Sequence, residues 1–208
     1  PSARPYKADG VEHPEILFLH ADEKTTRTAG DTWHSDVSCD PEPPMASILR
    51  LVKIPPSGGD TLFACMYSAY DALSEPMKQY LGELTAIHDG ASNYRDRAKR
   101  RDNFIEDKEY PRNGHPVVRT HPETGEKALY VNTAFTSHID AVPKAESDAV
   151  LAFLYQHISN AAFQCRFQWT ENAIAMWDNR CTLHHAMWDY YPNVRSGFRV
   201  TVQGDKPL

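Results

Sequence analysis

Residues Ala46 to Cys65 read ASILRLVKIPPSGGDTLFAC. The first nine, Ala46 to Ile54, are rich in β-prone side chains, and the run Pro55-Pro56-Ser57-Gly58-Gly59 then breaks the chain before a second strand candidate, Asp60 to Cys65. The stretch therefore predicts strand, turn, strand. Immediately downstream, Ser68 can cap a short helix through Leu73, and Ser74 with Pro76 just inside can start another through Leu81.

Further strand signals follow the same pattern. Pro116 to Thr120 and Lys127 to Asn132 flank the turn-rich His121 to Glu126, which suits a hairpin. Ala145 to Ser159 places Val150, Phe153, Leu154 and Ile158 at helical spacing, an apolar stripe suited to core packing. Phe163 to Trp169 alternates, Ala173 to Trp177 is apolar, and Gly197 to Gln203 reads as a last strand. The fold class is mainly β with helical inserts, a closed or sandwiched antiparallel sheet with helices on one side.

At 208 residues, 41% hydrophobic and 24% charged, the chain can bury one sizeable core, and one domain over 1–208 is expected. It opens without methionine and with neither a signal-peptide pattern nor a long apolar run, which suggests a trimmed, cytoplasmic chain with no membrane partner. A formal net charge of -6 argues against a nucleic-acid partner and favours a small molecule. The four cysteines, Cys39, Cys65, Cys165 and Cys181, form no C-x-x-C pair and read as small packing residues. The mixed-sign run Arg95 to Lys108 reads as a solvated loop or short exposed helix, with a lid over a site as a second possibility.

Trp33-His34-Ser35-Asp36 sets an imidazole and a carboxylate at i and i+2, which an extended segment projects to the same side. That pair is weak alone and needs a third ligand. The segment Trp177 to His185 offers two adjacent histidines, His184 and His185, which point oppositely on a strand, so only one can join the set. Two histidines and one carboxylate suit Fe(II) and leave positions for a cosubstrate and oxygen. Downstream, Arg195 and Arg199 can bind carboxylates in planar fashion, and Thr61 can add a hydroxyl.

Taken together, W-H-S-D (33–36), P-P-S-G-G-D-T (55–61), H-P-V-V-R-T-H-P (115–122), A-L-Y-V-N (128–132), W-D-N-R-x-x-x-H (177–184), Arg195, Arg199 and G-D-K-P (204–207) resemble the taurine dioxygenase (TauD/TfdA) family. The resemblance spans nearly the whole chain and implies a double-stranded β-helix, or jelly roll. It implies an Fe(II)- and 2-oxoglutarate-dependent dioxygenase that hydroxylates a small organic anion with O2 and releases succinate and CO2. The anion is an alkylsulfonate such as taurine, an alkyl sulfate or an aryloxyalkanoate. By that resemblance His34, Asp36 and His184 match the iron ligands, His185 fills a position that is aromatic in relatives, and Arg195 with Thr61 matches the anchor for the distal carboxylate of 2-oxoglutarate. Arg199 matches an arginine facing the substrate anion. Val37, Tyr94 and Phe135 match positions lining the substrate pocket, with Asn132 close by, and a homo-oligomer is expected.

Two departures from the family pattern stand out. Gly30 occupies the position where the taurine enzyme has an asparagine near its substrate, which points away from taurine itself. Relatives also carry an N-terminal segment that contributes a histidine to substrate binding; such a segment is expected to be missing here, removed or not covered, unless the pocket is built differently. Two rival readings are a non-catalytic jelly roll that binds metal or a small anion, and a hydrolase using zinc as a Lewis acid.

Overall fold

The computed structural model describes residues 2–8, 11–26, 30–100 and 109–208. In chain order come β1 (Ser2–Ala8), β2 (Val11–Ala21), β3 (Ala46–Lys53), β4 (Thr61–Cys65), α1 (Met66–Asp71), α2 (Glu75–Gly82) and β5 (Thr85–Asp89). Next are α3 (Ala91–Arg100), β6 (Arg112–Pro116), β7 (Val118–Thr120), β8 (Lys127–Leu129), β9 (Thr136–Ile139) and α4 (Lys144–Ile158). The chain closes with β10 (Gln164–Phe167), β11 (Ile174–Asp178), β12 (Thr182–Ala186) and β13 (Arg195–Val202).

The strands build a jelly roll. A five-stranded sheet in the order β1-β2-β13-β3-β11 and a three-stranded sheet in the order β10-β4-β12 are the two main walls. Their pairings are antiparallel, so each strand sends alternate side chains inward and outward. Leu49, Leu51, Trp169, Ala175 and Trp177 form one buried cluster. A larger cluster, including Met66, Leu81, Val117, Leu129, Leu154 and Leu183, joins the smaller sheet to the helices and to the β6-β5-β9 and β7-β8 pairings.

The two strands expected around the Pro-Gly turn are β3 and β4, and the expected hairpin is the shorter β7-β8 pair. α2 starts as predicted, with the Ser74 hydroxyl accepting from the Met77 amide at 3.4 Å. α1 differs: it begins at Met66, two residues before the expected Ser68 cap, and Cys65 makes no side-chain cap. The reason is tertiary, because the Met66 amide donates to Cys181 O at 2.9 Å as β4 passes directly into the helix. In α4, Leu151, Leu154 and Ile158 are buried while Phe153 is 42% exposed. The core stripe thus runs through Leu151, and Phe153, roughly 100° off Leu154, stacks on His157 instead. Residues 95–100 of the charged run continue α3; the remainder of the run, 101–108, on which the lid reading falls, lies outside the described residues. No helix among the described residues is long and apolar enough to cross a membrane.

Candidate active site

The segment carrying His34 is extended for a single bridge: His34 N donates to His184 O at 3.0 Å and His184 N to His34 O at 2.8 Å. That bridge locks two histidines 150 residues apart into one layer, with ring centroids 4.0 Å apart. Asp36 then opens a turn in which Val37 takes the left-handed conformation at φ 47°, unusual for a β-branched residue. On β12 the side chains alternate as expected: His184 is buried, whereas His185 turns the other way and sets its edge against Trp33.

One donor atom each from His34, Asp36 and His184 lies within 4.8 Å of the others, and all three residues are buried. His34 Nδ1 donates to Thr32 O at 2.8 Å, which fixes the tautomer and leaves the Nε2 lone pair facing the cluster. Nε2 of each histidine lies 3.9 Å from a different carboxylate oxygen of Asp36. Burial pushes the pKa of both imidazoles below the ordinary histidine value, so both are neutral. Burial opposes ionisation of Asp36, but the Arg199 guanidinium, with the Ser47 hydroxyl, outweighs it and holds the carboxyl well below the usual carboxylate range. Two neutral imidazoles and a carboxylate form the nitrogen and oxygen set that suits non-haem Fe(II). The residues therefore fit the metal.

Arg195 and Arg199, four apart on β13, project to one side of the strand. Arg195 is only 9% exposed; its Nε donates to Gly59 O at 2.9 Å, and its Nη2 is buried without a partner among the described residues. Gly59, at φ 73°, makes this close approach possible, since a Cβ there would lie 3.2 Å from Arg195 Cδ and 3.0 Å from Pro55 Cγ. Thr61 accepts from Trp169 Nε1 at 3.0 Å, which leaves the Thr61 hydroxyl hydrogen free to donate to another acceptor. A buried guanidinium with an unpaired donor beside an oriented hydroxyl is a cradle for a carboxylate.

A cavity of about 350 Å³ joins the two groups. It is lined by His34, Asp36, His184, Thr61, Arg195 and Arg199, and also by Val37, Tyr94 and Phe135. Asn132 does not line it. That side chain is buried and holds a turn, accepting from the Phe135 amide at 2.9 Å and donating to Ser38 Oγ at 2.9 Å. Arg199 lines the cavity, but its Nη1 donates to Asp36 Oδ1 at 2.8 Å and so sits on the carboxylate of the metal set. Gly30 also lines the cavity, and a Cβ there would come within 3.0 Å of His34 Cε1.

Sequence reasoning missed several partners. Ser47 donates to Asp36 Oδ2 at 2.6 Å, Trp169 orients Thr61, and Leu17 and Leu19 of β2 line the cavity beside β13, their neighbour in the same sheet. The alternation of Leu17, Leu19 and Ala21 was the available signal for β2. A second cluster, His121, Asp178 and Cys181, also has donor atoms within 4.8 Å of one another. There Asp178 is engaged by Arg180 at 2.7 Å, and His121 Nδ1 accepts from the amides of Glu123 and Thr124, so His121 Nε2 carries a proton and donates to Asp178. Both His121 nitrogens are thereby engaged and Asp178 is held by Arg180, so the cluster is an ion-pair knot.

The model of the taurine catabolism dioxygenase TauD, TfdA family matches residues 2–201. A Schizosaccharomyces pombe protein provisionally named an alpha-ketoglutarate-dependent sulfonate dioxygenase is 43% identical over all of this chain and 54% of its own length. The alpha-ketoglutarate-dependent sulfonate dioxygenase of Saccharomyces cerevisiae is 37% identical over 92% of this chain and 46% of its own. The chain thus spans about half the length of these curated relatives. A crystal structure of a taurine dioxygenase from Burkholderia xenovorans superposes with a TM-score of 0.79 at 35% identity, covering 99% of this chain and 68% of that one.

Proposed function

Because the chain belongs to the TauD/TfdA family of dioxygenases, we propose that it oxidises a small organic anion with O2 and 2-oxoglutarate at an Fe(II) centre, releasing succinate and CO2. One observation carries this reading. A buried His34-Asp36-His184 donor set and a separate buried carboxylate cradle, Arg195 with Thr61, open into the same cavity. A metal-binding module would need only the first; a hydrolase using zinc would not need the second.

His34 Nε2, His184 Nε2 and the Asp36 carboxylate would hold the iron, which when bound supplies the activation of oxygen that no side chain can provide. Arg195 and Thr61 receive the distal carboxylate of 2-oxoglutarate, and Trp169 keeps the Thr61 hydroxyl directed for that contact. The apolar walls contributed by Leu17, Leu19, Val37 and Phe135 exclude water and fix the distance from the substrate carbon to the metal donors. Arg199 neutralises Asp36 in this structure, and a metal held by that carboxylate would supply the countercharge instead and leave the guanidinium for a substrate anion. The guanidinium calls for an anionic substrate, and the sulfonate, sulfate-ester and aryloxyacetate dioxygenases among the relatives narrow the candidates to alkylsulfonates, alkyl sulfates and aryloxyalkanoates.

The test is succinate formation by anaerobically iron-loaded protein given 2-oxoglutarate and then O2, screened over those three classes. Substrate-stimulated succinate that vanishes in His34→Ala is expected. No stimulation by any of the three classes, with iron demonstrably bound, would overturn the proposal. Arg199→Leu should raise the substrate KM while 2-oxoglutarate affinity stays nearly intact; equal loss of both would refute the division of roles between the two arginines.

A further inference from the structure

Behind the turn that carries Asp36 lies a closed ring of hydrogen bonds that the proposed chemistry does not use. Its centre is His88 on β5, a side chain with no exposed surface. His88 Nδ1 lies 2.9 Å from Ser38 Oγ, and His88 Nε2 lies 3.4 Å from Thr136 Oγ1. Ser38 Oγ accepts from Asn132 Nδ2 at 2.9 Å, and Thr136 Oγ1 accepts from the Asn132 amide at 2.9 Å. The ring therefore runs His88, Ser38, Asn132, Thr136 and back to His88.

The ring closes with a neutral His88. One arrangement that satisfies it has Ser38 accepting from Asn132 and donating its own hydroxyl hydrogen to His88 Nδ1, with the His88 proton on Nε2 toward Thr136. Burial pushes the His88 pKa down to about 3, with the neighbouring His115 adding to the shift, so the ring is neutral as this scheme requires. Two elements of the active site hang from it. Ser38 belongs to the turn that includes Asp36 and the left-handed Val37, while Asn132 Oδ1 accepts from the amides of Ala134 and Phe135. The same turn is pinned from β6, where Asn113 Nδ2 donates to Cys39 O at 2.7 Å and His115 Nε2 lies 3.0 Å from Asp40 O.

We propose that His88 is a positioning residue: through Ser38 and Thr136 it ties the turn bearing the metal donor Asp36 and Val37 to the turn presenting Phe135. The ring holds the metal donor and the substrate wall in one fixed spacing. Arg195 and Thr61 stand on other strands, Trp169 follows β10, and none of the three takes part in it. Loss of the ring must therefore weaken metal binding and substrate recognition while sparing the cosubstrate cradle. The substrate half of this statement rests on the proposed dioxygenase function; the metal half does not.

Three variants test it. His88→Phe keeps most of the ring volume and removes both hydrogen bonds, Thr136→Val removes only the Nε2 side, and His88→Asn keeps an acceptor for Ser38. The readouts are the Kd for Mn(II) by electron paramagnetic resonance, the Kd of the Mn(II)-saturated protein for 2-oxoglutarate by calorimetry, and the substrate KM and kcat of the iron enzyme. In His88→Phe the Mn(II) Kd is expected to rise about tenfold, the lower end of what losing an outer partner of a metal ligand costs. The substrate KM is expected to rise similarly, with 2-oxoglutarate affinity unchanged within error. His88→Asn should recover the Mn(II) affinity but not the KM, and Thr136→Val should raise KM with little change in Mn(II) Kd. If His88→Phe does not fold, the other two variants decide. Parallel losses in all three constants, or no change in any of them, would overturn the proposal. Wild-type protein that binds Mn(II) but forms no succinate would instead refute the dioxygenase reading and leave the Mn(II) comparison to judge the ring.

Discussion

Replacing Gly197 by alanine should unsettle both the fold and the cosubstrate site, because this glycine lies directly against the backbone of β3. A Cβ at position 197 would sit 2.1 Å from Arg50 O and 2.7 Å from Leu51 Cδ2. The first obstacle is backbone, so no rotamer change relieves it, and the strands must separate by about 1 Å to reach ordinary contact. They pair here through Gly197 and Leu51, next to a register shift between Ser196 and Gly197. Forcing a methyl group into such a site costs about 1–3 kcal/mol, and the backbone obstacle places it near the upper figure. For a chain of this size about 3 kcal/mol corresponds to a fall in Tm of roughly 6–12 °C. Arg195 lies two residues before Gly197 and Arg199 two after, so the strand movement carries both guanidinium groups with it. A misplacement on the order of 1 Å costs about 100-fold in turnover. Scanning calorimetry and calorimetric titration of the Mn(II)-loaded protein with 2-oxoglutarate measure the two effects. A Tm within about 1 °C of wild type together with unchanged cosubstrate affinity would show that the two strands do not meet in this register.

Other expectations follow from single contacts. Arg195→Leu should weaken 2-oxoglutarate binding by about 1.5–3 kcal/mol, on the order of 10- to 100-fold, without altering Mn(II) affinity; a matching loss of metal affinity in the same titration would contradict the separation of the two sites. Fe(II) at about 100 times its Kd should stabilise the fold by about 2.7 kcal/mol, roughly 5–11 °C, and the rise should vanish in His34→Ala; a rise that survives there would place the ion elsewhere. His88 has a folded pKa of about 3 against an ordinary 6.5, so its contribution to stability is complete above pH 6.5 and is lost as the pH falls toward 3. The slope approaches about 1.4 kcal/mol per pH unit for this group. Urea unfolding of His88→Asn between pH 7 and 5 should show a slope shallower by up to that amount, and an unchanged slope would mean that His88 is not held neutral.

The parts of this molecule that were legible in the sequence are those whose physical cause is local. The Pro-Pro-Ser-Gly-Gly break between β3 and β4 needs only turn chemistry to be read, and Ser74 caps α2 through contacts within one helical turn. His34 and Asp36 could be paired because spacing of two on an extended chain brings side chains to one side. Joining His184 and Arg195 to them required the ordered set of motifs along the chain, since no local rule connects residues 150 positions apart. The residues that escaped are ones whose roles depend on tertiary neighbours. Phe153 fits the helical stripe of α4 as well as Leu151 does, and only the packing surface decides which is buried.

Tertiary neighbours also decide what Asn132 and Arg199 hold. Near a substrate pocket an asparagine offers two donors and an acceptor, but in a turn its short amide also competes for the backbone, and here the amides of Ala134 and Phe135 take the oxygen while Ser38 takes a hydrogen. Its influence reaches the cavity through the turn of Ala134 and Phe135 and, by way of Ser38, through the turn of Asp36 and Val37. Arg199 faces the cavity as a strand spacing of four from Arg195 requires, yet a buried carboxylate must have a countercharge, and the guanidinium supplies it to Asp36 at 2.8 Å. Strand periodicity determines the side toward which an arginine points; the charges buried around it determine which carboxylate it holds.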